Sequence, residues 1–189
     1  MLDKGSIVER TRFWAIATLA WHGSFRIHEL LSRTASEYDQ TETLLWKDLK
    51  TGKVNIDGKE LRVITVHVDS PKLDRIGAGD KIQILETGTI MCPIKALYKY
   101  RTATNITEKD DLPVFRITAT KCYTGRDMNK KLTELTGSVT KHFKGAVVRT
   151  HSFRAGLPSE MAKAGHPEGN WEMGACVYIC VFIYGYIYK

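Results

Sequence analysis

Cysteine is scarce in this chain, with four among 189 residues, at positions 92, 122, 176 and 180. None stands in a C-x-x-C pair and none has histidines at zinc spacing, which excludes a disulfide scaffold and a zinc finger. Reduced thiols fit an intracellular compartment. The opening Met-Leu-Asp-Lys-Gly-Ser has no apolar h-region and no cleavage site, so a secretory leader is not expected. The longest apolar stretch, residues 175–188, falls short of the ~20 residues of a spanning helix, and Gly185 interrupts it. No membrane partner is expected. Internal repeats and low-complexity tracts are absent. Acidic residues are outnumbered, 21 against 28 Lys and Arg, for a net charge of +7. That balance permits a polyanionic partner without requiring one.

What is present is a globular pattern. At 43% hydrophobic the chain is too apolar for disorder and long enough for one domain with a continuous core. Residues 8–21, VERTRFWAIATLAW, combine helix formers with apolar residues at helical spacing and predict a first helix, broken at Gly23. Ser24 is placed to cap a second helix, with Phe25, Leu30 and Leu31 on its apolar side and Arg26 and Glu29 on its polar side. Residues 34–43 are polar and loop-like, and 44–49 form a short amphipathic piece. Gly52 and Asp57-Gly58 are turn signals. Residues 61–68 and 81–85 read as strands joined through a turn at 70–74, an antiparallel element with Lys72 at its bend. Pro93 opens a helix to Arg101, 102–112 is a loop, 113–117 is extended and 127–135 is helical. A last helix opens at 150–154 and runs to about residue 164. Trp14, Trp21 and Trp46 belong to the core. The fold class is therefore mainly α with a small antiparallel sheet (α+β), one domain over residues 1–189.

Few residues announce chemistry. His151 and Arg154, three apart, point the same way on a helix and can hold one anion together. Such pairs arise often by chance, and a solvated helix face is the plainer reading. Arg26 and Glu29 share that spacing, which on a surface is an ion pair worth ~0.3 kcal/mol. Lys72 alone is an exposed turn lysine. Residues 126–131, RDMNKK, read as a solvated face able to touch phosphate. His22, His28, His67 and His142 show no ligand spacing, and His166-Pro167 is adequately a helix end.

The order of these pieces adds meaning. Residues 23–31, GSFRIHELL, resemble the first box of the tyrosine recombinases, the phage-integrase family, which reads roughly G-hydrophobic-R-x-x-E-hydrophobic-hydrophobic. Residues 44–49, LLWKDL, resemble the tryptophan-containing stretch that follows. Residues 70–74, SPKLD, resemble the family's lysine-bearing β-hairpin in integrases of eukaryotic mobile elements. Cys92-Pro93 with Ala96 and Leu97 is similar to the segment after that hairpin. Residues 150–156, THSFRAG, match the second box, and 162–167, AKAGHP, its continuation. The resemblance spans residues 8–167.

That resemblance implies double-stranded DNA as partner and a division of labour among the residues. Arg26 and Arg154 would grip the non-bridging oxygens of one phosphate, a task suited to a planar, permanently charged fork. Lys72 would protonate the departing 5′ oxygen. His151 would hold or shuttle a proton near the nucleophile. Glu29 would orient Arg26. No metal and no cofactor are implied, because the arginines supply the charge. The nucleophilic tyrosine falls roughly thirty residues beyond Arg154 if helix spacing is kept. Tyr186 is preferred, then Tyr184, with Tyr178 and Tyr188 less well spaced.

Two departures stand out. Ala175-Cys176 occupy the place of the usual Trp or His, and VYICVFIYGYIY prefers strand to helix, so residues 168–189 are atypical. The helical N-terminal domain that closes the family's clamp around DNA has no counterpart in the 189 residues. The resemblance thus implies either strand cleavage and rejoining through a 3′-phosphotyrosine, in recombination or integration, or a remnant that only binds DNA weakly. A type IB topoisomerase shares the pocket chemistry but not these boxes, and a basic helical protein unrelated to DNA is the remaining reading. Assembly of several copies on DNA and, for a eukaryotic element, a nuclear location follow from the resemblance as well.

Overall fold

The computed structural model describes residues 6–68, 80–104, 111–136, 150 and 153. The first helix, α1 (Ile7–His22), begins where Ser6 Oγ accepts the Glu9 N–H at 3.2 Å. Every residue from Thr11 to Trp21 is buried, so α1 is a central helix wrapped by the others. Its threonines are satisfied locally: Thr18 Oγ1 donates to Trp14 O at 2.9 Å, and Thr11 Oγ1 to Ile7 O at 2.8 Å.

The helix stops at Gly23 for a packing reason. Gly23 has an ordinary φ of −92°, but a Cβ there would overlap the Phe25 ring, which folds back over it. The left-handed residue is Ser24, at φ 52°. Ser24 therefore turns the chain and does not cap the next helix, α2 (Ile27–Leu30), whose N-cap is Arg26. A side-chain cap needs an extended backbone, which Ser24 lacks.

A 3₁₀ turn (Trp46–Asp48) leads into the sheet, with Asp48 Oδ2 accepting the Leu45 N–H at 2.8 Å. Three antiparallel strands follow in the order β1 (Leu49–Ile56), β2 (Lys59–Val68) and β3 (Asp80–Leu85). Strand β1 departs from the sequence expectation. Gly52 is not a turn but sits mid-strand opposite Val63. An edge strand exposed along most of its length shows no apolar alternation, so the signal was missing. The turn is Asp57-Gly58, with φ of 51° and 76°, the doubly left-handed pair of a two-residue hairpin. Strand β2 turns Ile64, Val66 and Val68 inward, and β3 adds Ile84. The register runs from Val63 opposite Leu85 to Val68 opposite Asp80.

Helix α3 (Pro93–Thr104) packs along α1 and extends three residues past the expected end. Its Tyr100 is buried, with the hydroxyl donating to Val114 O at 3.2 Å and the ring 5.5 Å from that of Phe115. Residues 113–117 do not form the extended segment expected there; bends separate two isolated bridges, Leu45 to Pro113 and Arg116 to Cys122. Helix α4 (Gly125–Thr136) opens on a reciprocal cap: Asp127 Oδ2 accepts from Thr124 N and Oγ1 at 2.9 and 2.7 Å, while Thr124 Oγ1 accepts from Asp127 N. Met128, Leu132 and Leu135 form its buried stripe. One core unites these elements and includes Phe153. The architecture is mixed, four helices and a small three-stranded antiparallel sheet among the described residues.

Candidate functional site

Arg26 sits where the chain leaves the α1 turn and enters α2. Its backbone is extended, at φ −72° and ψ 143°, and Phe25 and Leu30 on either side are buried. These two anchors fix the backbone while the guanidinium stays partly open, the side chain being 32% exposed. Glu29 braces it twice. Its Oε2 accepts the Arg26 N–H at 2.7 Å, and its Oε1 lies 3.2 Å from Arg26 Nη1. An arginine has no acceptor to return, so only the glutamate half of a capping box is made. The brace engages one terminal nitrogen of the fork. Nη2 and Nε have no partner among the described residues, and they remain for an external acceptor. The expected ion pair is thus present, but with a second bond to the backbone that spacing alone did not reveal.

Helix α4 ties this corner to Thr150. Gly125, its first residue, lies against Ile27: a Cβ on Gly125 would be 3.4 Å from Ile27 Cγ2. The preceding Thr124 bridges Ser32. One turn further along, Asn129 Oδ1 accepts the Thr150 N–H at 3.2 Å. Phe153 is buried in the core, and its N–H reaches Thr150 O at 3.3 Å. Thr150 is thus held on the helix that Ile27 touches. Arg126, Asn129 and Lys130 are exposed, as a solvated face over 126–131 requires, while Met128 is buried; the Thr-x-x-Asp cap at 124–127 is the sign in the sequence that this helix has a fixed start.

The other sequence-predicted residues, Lys72, His151, Arg154, Tyr184 and Tyr186, lie outside the described residues, as do the atypical residues 168–189, the bend expected at 70–74 and, but for Thr150 and Phe153, the helix expected over 150–164. The two strands that flank that bend, β2 and β3, are paired as expected.

Among the described residues, the remaining His and Cys side chains do not form a centre. His22 is held by a hydrogen bond between Nε2 and Met91 O at 3.1 Å, and burial lowers its pKa. Cys92 and Cys122 are free and buried, and burial raises the Cys122 thiol. Among the described residues no three His, Cys, Asp or Glu side chains come together as a metal would require. No helix among them is long and apolar enough to cross a membrane. No protein-family model matches the sequence, and no curated protein matches it.

Proposed function

We propose that this chain is a tyrosine recombinase or integrase catalytic domain that cleaves and rejoins DNA strands in recombination. The observation that carries the reading is the braced Arg26. A guanidinium fixed by Glu29 at its backbone and at one nitrogen, partly exposed, keeps donors ready for a phosphate oxygen. Three further features support it. The strands β2 and β3 flank the segment bearing Lys72, the Trp46 turn precedes them in the order of the boxes, and α4 touches both Ile27 and Thr150.

In this reading Arg26 and Arg154 hold the non-bridging oxygens of the scissile phosphate. The hydroxyl oxygen of Tyr186, or of Tyr184, attacks phosphorus in line. A bond forms between the tyrosine oxygen and phosphorus, and the bond from phosphorus to the 5′ oxygen breaks. Lys72 gives its proton to the departing oxygen, while His151 holds the tyrosine proton as it leaves. The two guanidinium groups stabilise the extra negative charge that develops on the phosphoryl oxygens. The free 5′ hydroxyl of another strand reverses the steps and rejoins the DNA without an external energy source.

The test is a nicked suicide DNA substrate, from which a short strand diffuses away before religation. A covalent protein–DNA adduct is expected, lost in Arg26→Ala and in Tyr186→Phe or Tyr184→Phe. An adduct that survives both tyrosine substitutions refutes the nucleophile assignment. DNA binding without any adduct identifies a remnant that has kept the phosphate grip alone. Binding should weaken with salt, at a logarithmic slope of about −0.9 per phosphate contact. Binding indifferent to salt argues against the phosphate pocket.

A further inference from the structure

Thr150 is buried, so its backbone N–H needs a partner. Phe153 is helical and its N–H reaches Thr150 O at 3.3 Å, which places Thr150 at the start of a helical turn. The first N–H groups of such a turn find no acceptor within it. Here the acceptor comes from another helix, because the Thr150 N–H donates to Asn129 Oδ1 at 3.2 Å. Twenty-one residues separate the two in sequence, so the bond is a tertiary one.

Asn129 contributes nothing comparable to its own helix. It is exposed in the interior of α4, where asparagine is a poorer helix former than alanine, lysine or arginine. Its place is nonetheless well fixed. The Thr124–Asp127 cap sets where α4 begins, and the buried Met128 and Leu132 set how it is rotated. Gly125 and Asn129, four residues apart, share one face of this helix and are separated by about 6 Å along its axis. Gly125 rests against Ile27, the residue after Arg26, and Asn129 holds Thr150, the residue before His151. One face of α4 is therefore a spacer between the neighbours of two residues assigned to the same phosphate.

We propose that Asn129 is a positioning residue for strand cleavage, holding Thr150, and with it the peptide bond to His151, at a set distance from Arg26. This rests on the recombinase reading above. Asn129→Ala removes the acceptor at an exposed site and favours the helix, whereas Asn129→Asp keeps an oxygen at the same reach. Hydrogen exchange of the Thr150 amide, followed by NMR without DNA, should quicken roughly fivefold in Asn129→Ala and stay near the parent in Asn129→Asp. On the nicked suicide substrate at saturating DNA, the rate constant for adduct formation should fall by about tenfold or more in Asn129→Ala and remain within about threefold of the parent in Asn129→Asp. A merely structural residue would lower the amplitude, which counts folded chains, and leave the rate constant alone. An unaltered rate constant in Asn129→Ala, with the parent forming its adduct, overturns the positioning role and leaves the recombinase reading standing. Asn129→Asp as slow as Asn129→Ala, or unchanged Thr150 exchange in Asn129→Ala, overturns the hydrogen bond as the cause. No adduct from the parent removes strand cleavage and this role together. Should Asn129→Ala fail to fold, Asn129→Gln shifts the acceptor by one methylene: it should slow the adduct step, and the parent's rate constant there overturns the role.

Discussion

Glu29 is the residue on which the candidate site can be tested without DNA. Its carboxylate accepts the Arg26 N–H at 2.7 Å and meets Nη1 at 3.2 Å, with its own side chain only 12% exposed. A bond from a backbone N–H to a charged acceptor contributes about 1.5 kcal/mol. The ion pair adds roughly 0.5 kcal/mol, discounted because the arginine is one-third exposed. Glu29→Ala should therefore destabilise the fold by about 2 kcal/mol. Glu29→Gln keeps an oxygen for the backbone N–H but loses the charge, and should cost about 1 kcal/mol. Urea unfolding followed by tryptophan fluorescence reads both, since Trp14 and Trp21 are buried. A double-mutant cycle with Arg26→Ala isolates the side-chain pair from the backbone bond, which survives in Arg26→Ala. A Glu29→Ala midpoint within about 0.3 kcal/mol of the parent would refute the brace. Equal costs for Ala and Gln would show that the backbone bond contributes nothing.

Three other outcomes follow from particular contacts. Leu132→Ala, in the fully buried stripe of α4, should cost about 2–5 kcal/mol in urea unfolding, and a loss under about 1 kcal/mol would mean that α4 does not close the core. Gly58→Ala should cost about 1 kcal/mol in the same assay, because φ is 76° there with open space around it, and a neutral result would argue against the left-handed turn. His22 has a folded pKa below its usual 6.5 because burial disfavours the cation. Below pH 6.5 the unfolded chain binds the proton more readily, so stability is lost as pH falls from there through the folded value. His22→Asn should flatten that part of the stability profile, and an unchanged slope would remove His22 as its source.

Helix α4 was legible because its burial has a period, the Met128–Leu132–Leu135 stripe; α1, buried all round, was legible from its run of helix formers, α3 from its Pro93 start, and the Asp57-Gly58 turn from its own backbone requirement. Strand β1 was not legible. An edge strand draws its definition from the partner it pairs with, and Gly52 becomes strand only because Val63 lies opposite. Ser24 was misjudged for a related reason: its left-handed φ follows from the Phe25 ring closing over Gly23, a contact that composition does not encode. The spacing of Arg26 and Glu29 determined that they could pair. The backbone bond that makes the pair a brace, and the placing of Thr150 on Asn129, were decided by tertiary structure. So was the charge on Arg12, which the sequence offers as one more polar position on a helix. It became a buried cation under an aromatic ring only when Tyr123 closed over it, because the cost of a charge is set by what surrounds it.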